Sequence, residues 1–314
     1  MLKDFLFFNY DWVPNSTYLF RSFQDSGYDC DFVNEQNLMD FRPTHDYRCI
    51  VVYLHEPWQL PRINELISRN WPNSFLIQHD DTDEEQVQQW LYRSPDLIMQ
   101  REVTKNTHNP YKCPLYPQHF PIADISRPEL QQQKTIDVCF IGTPSNPRRE
   151  AFVRRLVELS QGSLKHLNWG LMYGKGKNPE LNIAAINQSK IGVNFPGNSY
   201  DSWRIWEYAS AGVGIIMPKL PLLSVTEKHQ PFHEYTQIET DLSDLEQQIR
   251  YMLEGDRWKV YGDAARKSYL EHHTPEKCFE HYHECVIMHA PIQPRLATPK
   301  TAEPYYAAWR RRPI

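Results

Sequence analysis

Along the first hundred residues, short apolar runs alternate with stretches whose apolar positions recur at helical spacing. DFLFFNY (4–10) reads as a strand and STYLFRSFQDSG (16–27) as a helix stopped by Gly27. CIVVYL (49–54), SFLIQ (74–78) and DLIMQ (96–100) read as further strands. Between them, LPRINELISRNW (60–71) and EEQVQQWLYRS (84–94) read as helices. Strand and helix in regular alternation call for a parallel sheet with helices on its faces.

Pro117, Pro121, Pro128 and the polar run ELQQQK (129–134) interrupt this rhythm, which places a domain boundary near residue 134. The alternation then restarts. TIDVCFIG (135–142), LKHLNWGL (164–171) and KIGVNF (190–195) read as strands, with helices at REAFVRRLVELS (149–160) and ELNIAAINQS (180–189). SYDSWRIWEYASAG supplies the next helix and VGIIM the next strand. Three helical patterns, the last PEKCFEHYHECVIMH, carry this domain to residue 289, and the Pro-rich tail 290–314 ends in RRRPI. The expectation is α/β: two Rossmann-like parallel-sheet domains facing a cleft, 1–134 and 135–289, with a tail able to pack back on the first.

Composition supports real cores and narrows the partners. The 314 residues are 40% hydrophobic and 23% charged, with a formal net charge of -5, so no overall basic field draws nucleic acid or anionic membrane. MLKDFLFFNYDW has too short an apolar run, broken by Asp4 and Asp11, for a signal or spanning segment. Cys30, Cys49, Cys113, Cys139, Cys278 and Cys285 form no CxxC pair, which fits a reducing compartment. A cytoplasmic protein is expected. Cys278, His281, Cys285 and His289 share a stripe of the last helix, but one helix cannot readily surround a tetrahedral ion.

The glycines locate the candidate chemistry. Of 12 glycines only Gly27 precedes residue 142, and nine fall between Gly142 and Gly214. Backbone that approaches a phosphate closely needs glycine, so a phosphate-bearing ligand belongs to the second domain. The first strand-helix junction has no GxGxxG, and GKGK (174–177) lacks the context of a P-loop. In SYDSWRIWEYASAG, Ser199, Asp201 or Ser202 can cap the helix and Gly212 ends it, while Arg204 and Glu207 share one face. A pyrophosphate at the helix start would meet Arg204, and a carboxylate one turn further in could accept hydrogen bonds from the vicinal hydroxyls of a ribose.

NQSKIGVNFPGNSYDSWRIWEYASAGVGIIM, together with DVCFIGTPSNPRREAFVRRL, resembles the donor-binding domain of GT-B glycosyltransferases of the group 1 type, especially the spore-maturation-protein-like branch. The resemblance implies transfer of a sugar from a nucleotide diphosphate sugar to a glycan, lipid, protein or small-molecule acceptor, without a metal or other cofactor. It implies Glu207 as the ribose ligand and Arg204 as a phosphate ligand, with Gly142 and Thr143 at the first turn and added charge from Arg148 or Arg149. Where many members carry a glutamate, this chain has Ser199, so the contact to the transferred sugar is either missing or supplied by Asn198 or Asp201. An acid-base residue is expected at the strand ends of the first domain: Asp80 and Asp81 in HDDTDEE, then His55 and Glu56 in LHEPW. The rival readings are a noncatalytic relative that binds a nucleotide sugar or glycan, and an interaction protein that binds no nucleotide.

Overall fold

The computed structural model describes residues 2–8, 14–54, 59–82, 86–118, 133–173, 179–197, 200, 202–222 and 234–293. The chain divides into two compact units. The first holds β1 (Leu2–Phe8), α1 (Pro14–Asp25), β2 (Cys30–Val33), β3 (Asp46–Leu54), α2 (Leu60–Asn70), β4 (Phe75–Asp80), β5 (Leu97–Gln100) and β6 (Leu115–Pro117). Its six strands pair in the order β2-β1-β3-β4-β5-β6, all parallel.

Both faces of this sheet are covered, which is why its strands read as unbroken apolar runs. Phe5, Phe7, Val51 and Met99 meet Leu19 and Phe23 of α1 on one face; Leu6, Phe8, Ile50 and Val52 meet Ile63, Leu66 and Ile67 of α2 on the other. Successive strand residues point to opposite faces, so each strand serves two cores.

The second unit holds β7 (Ile136–Gly142), α3 (Pro147–Gln161), β8 (Trp169–Tyr173), α4 (Pro179–Asn187), β9 (Ser189–Val193), α5 (Trp203–Ser210), β10 (Gly214–Pro218), β11 (Thr236–Ile238), α6 (Leu245–Leu253) and α7 (Arg257–Ser268). Its five strands are also all parallel, in the order β11-β10-β9-β7-β8. The expected pair of Rossmann-like units is present. No helix among the described residues is long and apolar enough to cross a membrane.

Three local expectations differ from the structure. The final helix, α8 (Pro275–His289), reads in sequence as the end of the second domain but packs with the first unit. Its Phe279, Tyr282 and Val286 join the α1 face, His283 Nε2 lies 2.9 Å from Tyr28 Oη, and His289 Nε2 lies 2.8 Å from Tyr116 Oη. The cysteine and histidine stripe is therefore a packing face, with Cys278 and Cys285 in that core.

Residues 86–95 form no helix, although Val87 and Leu91 are buried at helical spacing. Neighbouring side chains take up the backbone groups that a helix would pair internally. Asn64 donates to Trp90 O at 2.9 Å and accepts from Tyr92 N at 2.8 Å, while Gln78 donates to Gln88 O at 3.0 Å. In the third case, only Trp169 onward of the stretch expected as a strand from 164 is β8; Leu164 caps a turn, accepting from Trp169 Nε1 at 3.0 Å.

Candidate functional site

The strand order of the second unit reverses between β7 and β9: the chain leaves β7 for β8 on one side and returns to β9 on the other. Such a reversal leaves a crevice at the carboxyl ends of the two strands, where open α/β sheets bind ligands. Gly142 ends β7, and Gly197 lies just past β9. Asn146 ties the two loops together. Its Oδ1 accepts from Arg149 N at 2.9 Å, capping α3, and its Nδ2 donates to Gly197 O at 2.7 Å.

Arg149 fills the crevice. A β-carbon added at Gly142 would stand 3.0 Å from its Nη2, and one added at Gly197 would stand 2.6 Å from its Nη1. The guanidinium thus lies against both glycine backbones. Its Nε is buried without a hydrogen-bond partner among the described residues, and burial followed by the nearby Arg204 pushes its pKa down. Arg148, the other arginine named in the sequence reading, is exposed on α3. The SNPRRE stretch carries the distinguishing signal: Asn146 as cap and Pro147 at the first helical position fix which arginine turns inward. Thr143 sits half-buried in the connecting loop.

The helix α5 brings the second set of groups. Ser202, one of three cap candidates, accepts from Arg204 N at 3.4 Å; Asn198, Ser199 and Asp201 lie outside the described residues. Arg204 and Glu207 form an ion pair on one face of the helix. Burial raises the Glu207 pKa, and Arg204 opposes that rise.

The helix is held at its other end too. Gly212, at φ +61°, closes it, with Gly212 N donating to Ala209 O at 3.0 Å and Val213 N to Tyr208 O at 3.0 Å. Tyr208 lies so close to β9 that a β-carbon on Gly192 would stand 2.6 Å from its ring. Lys134 donates to Ala211 O at 3.3 Å and Asn187 O at 2.8 Å, and Arg266 donates to Ser210 O. These two cations at the carbonyl end of α5 were missed in the sequence, where nothing links them to that helix. Positive charge there complements the helix dipole.

Of the expected acid-base residues, the structure describes Asp80 and Asp81. His55 and Glu56 lie outside the described residues. Asp80 ends β4 fully buried, its Oδ1 accepting from Thr82 N at 3.1 Å and Thr82 Oγ1 at 2.6 Å. Asp81 is buried as well, accepting from Tyr53 Oη and pairing with Arg101 at 3.4 Å. Beside it, His79 stacks on Tyr53 at 4.2 Å and on Tyr282 of α8 at 5.5 Å between ring centroids. Burial, with Arg101 adding to it, lowers the His79 pKa to about 3, so the imidazole is neutral. This cluster knits together the carboxyl ends of β3, β4 and β5 inside the first unit.

No family model and no curated protein matches the chain. Solved structures match its fold. An alpha-glucosyltransferase, in complex with UDP and a 13-mer DNA containing a HMU base, aligns at TM-score 0.57 and 8% identity over 91% of this chain and 100% of its own. Sucrose-phosphate synthase from Thermosynechococcus elongatus aligns at TM-score 0.52 and 10% identity over 91% and 98%. A protein described as a UDP-N-acetylglucosamine 2-epimerase from Listeria monocytogenes aligns at 0.53 and 8% over 96% and 100%. The fold is therefore the GT-B type, two Rossmann-like units in one chain. Identities this low carry the fold and leave the reaction to be argued from the site.

Proposed function

We propose that the chain is a glycosyltransferase that binds a nucleotide diphosphate sugar on its second unit, the first unit serving the acceptor. The observation that carries this reading is the position of Arg149 against Gly142 and Gly197 at the β7/β9 reversal, near enough to Arg204, the ion-pair partner of Glu207, for the two charges to interact. Two guanidiniums and a helix start favour a dianionic diphosphate. Glu207, one turn into α5, accepts from the ribose hydroxyls. As the glycosidic bond to the diphosphate breaks, charge builds on the departing oxygen, and fixed positive groups stabilise it more than they stabilise the donor. Because the arginines supply that charge, the proposal includes no metal. UDP in the matching alpha-glucosyltransferase structure is consistent with this ligand class.

Isothermal titration with UDP, GDP, ADP and CDP, with and without magnesium, tests it. Metal-independent binding of one diphosphate, lost in a folded Glu207→Ala variant, supports the reading; no binding by the folded protein refutes it. One observation favours a second reading, a noncatalytic nucleotide-sugar binder: the carboxylates of Asp80 and Asp81 are both buried and engaged with protein side chains. Turnover of a bound sugar nucleotide, by hydrolysis or transfer, separates the two.

A further inference from the structure

Trp203, the first residue of α5, is 46% exposed. Among the described residues it makes no hydrogen bond and no ring contact, in contrast to Trp206 one turn on, which is buried and packs on His273 at 4.7 Å. A half-exposed indole with no partner contributes little to the fold, and its position on α5 points to another use.

Helical residues advance about 100° each, which puts Trp203 about 40° to one side of Glu207 and Arg204 about 60° to the other. Burial agrees: Ile205, Trp206, Tyr208, Ala209 and Ser210 face inward, and Trp203, Arg204 and Glu207 share the remaining face. Glu207 stands in the middle of it. Side chains on a helix lean toward its N-terminus, so the Trp203 side chain leans toward the helix start, the end of α5 nearest the carboxyl edge of the sheet.

We propose that Trp203 is the stacking platform for the nucleobase of the bound nucleotide. The inference rests on the reading of Glu207 as ribose ligand and Arg204 as phosphate ligand. A nucleotide held at its ribose by Glu207, with its phosphates drawn to the Arg204 side, turns its base to the Trp203 side. Every base has a π-face, so an indole gives affinity for the base without choosing among the four, and selectivity is left to hydrogen bonds.

The test compares ligands with and without a base. UDP, GDP, ADP, CDP and inorganic pyrophosphate are titrated against the full chain, Trp203→Ala, Trp203→Phe and Glu207→Ala, with thermal melting to confirm folding. Trp203→Ala is expected to weaken the nucleoside diphosphate about tenfold or more while pyrophosphate affinity stays as in the parent, and Trp203→Phe to retain most of the affinity. Indole emission is expected to fall with the nucleotide but not with pyrophosphate, and that change to shrink in Trp203→Phe. Unchanged nucleotide affinity in Trp203→Ala, with Glu207→Ala defective, overturns the platform and leaves the donor site standing. Equal loss of nucleotide and pyrophosphate also overturns it, since the ring would then act on the phosphate end. Failure of the folded parent to bind any of these ligands removes both readings.

Discussion

Arg149 and Arg204 begin two different helices, yet the charge of Arg204 is, after burial, what depresses the pKa of Arg149. Like charges held this close are costly until an anion lies between them. Under the proposed function, that anion is the diphosphate of the donor.

Replacing one arginine should therefore separate binding from stability. Arg149→Met is expected to weaken nucleoside diphosphate binding by about 1.5–3 kcal/mol, the contribution of hydrogen bonds to a charged group. Its melting temperature should match or exceed that of the parent, because one member of a repelling pair has gone. A melting temperature lowered by many degrees would show that Arg149 is a structural residue.

Two glycines should respond differently to the same added methyl group. At Gly197 the nearest atom is Arg149 Nη1 at 2.6 Å, the far end of a flexible side chain, whereas at Gly192 the Tyr208 ring stands at 2.6 Å with its helix behind it. Gly197→Ala is expected to keep the fold and displace Arg149, weakening nucleotide binding. Gly192→Ala is expected to cost about 1–3 kcal/mol of stability through overpacking. Denaturant unfolding and calorimetry on both variants check this, and equal stability losses would contradict it.

Asp81 contacts Tyr53 and Arg101 in the buried cluster, with 5% of its side chain exposed against 9% for Arg101. Asp81→Asn removes the carboxylate that faces this guanidinium, and breaking a buried pair in this way costs about 3–5 kcal/mol. Urea unfolding should show that loss in the first unit. A fully stable variant that has lost turnover would instead return Asp81 to an acid-base role.

His79 predicts an acid limit. Its folded pKa, about 3, lies below the ordinary 6.5, so between these values the unfolded chain binds the extra proton. Stability from this group is therefore complete above about pH 6.5 and is lost progressively as pH falls toward 3, by up to about 4–5 kcal/mol. Melting curves from pH 8 to 4 on the parent and His79→Phe should diverge in slope, with the parent losing stability faster in acid. Parallel curves would refute it.

The periodicity of apolar positions was enough to read two parallel α/β units, because a strand buried on both faces must be apolar throughout and a covering helix must repeat its apolar face. It was enough to place Arg204 and Glu207 together, because three residues on a helix make a fixed distance. Where two segments compete for the same backbone or the same core, local pattern carries no answer. Residues 86–95 have a helical pattern, but Asn64 and Gln78, from other elements, bond their backbone in another shape. The helix α8 is amphipathic wherever it docks, and only the aromatic core around Phe23 determines that it belongs to the first unit. Arg148 and Arg149 are adjacent and alike in sequence; the cap at Asn146 and the space beside Gly142 and Gly197 turn one of them into the crevice and leave the other in water. Asp80 and Asp81 adjoin one another in an acidic stretch, yet the tertiary structure buries both: Asp80 turns back on its neighbour Thr82, while Asp81 meets Tyr53 and Arg101, which only the fold brings near.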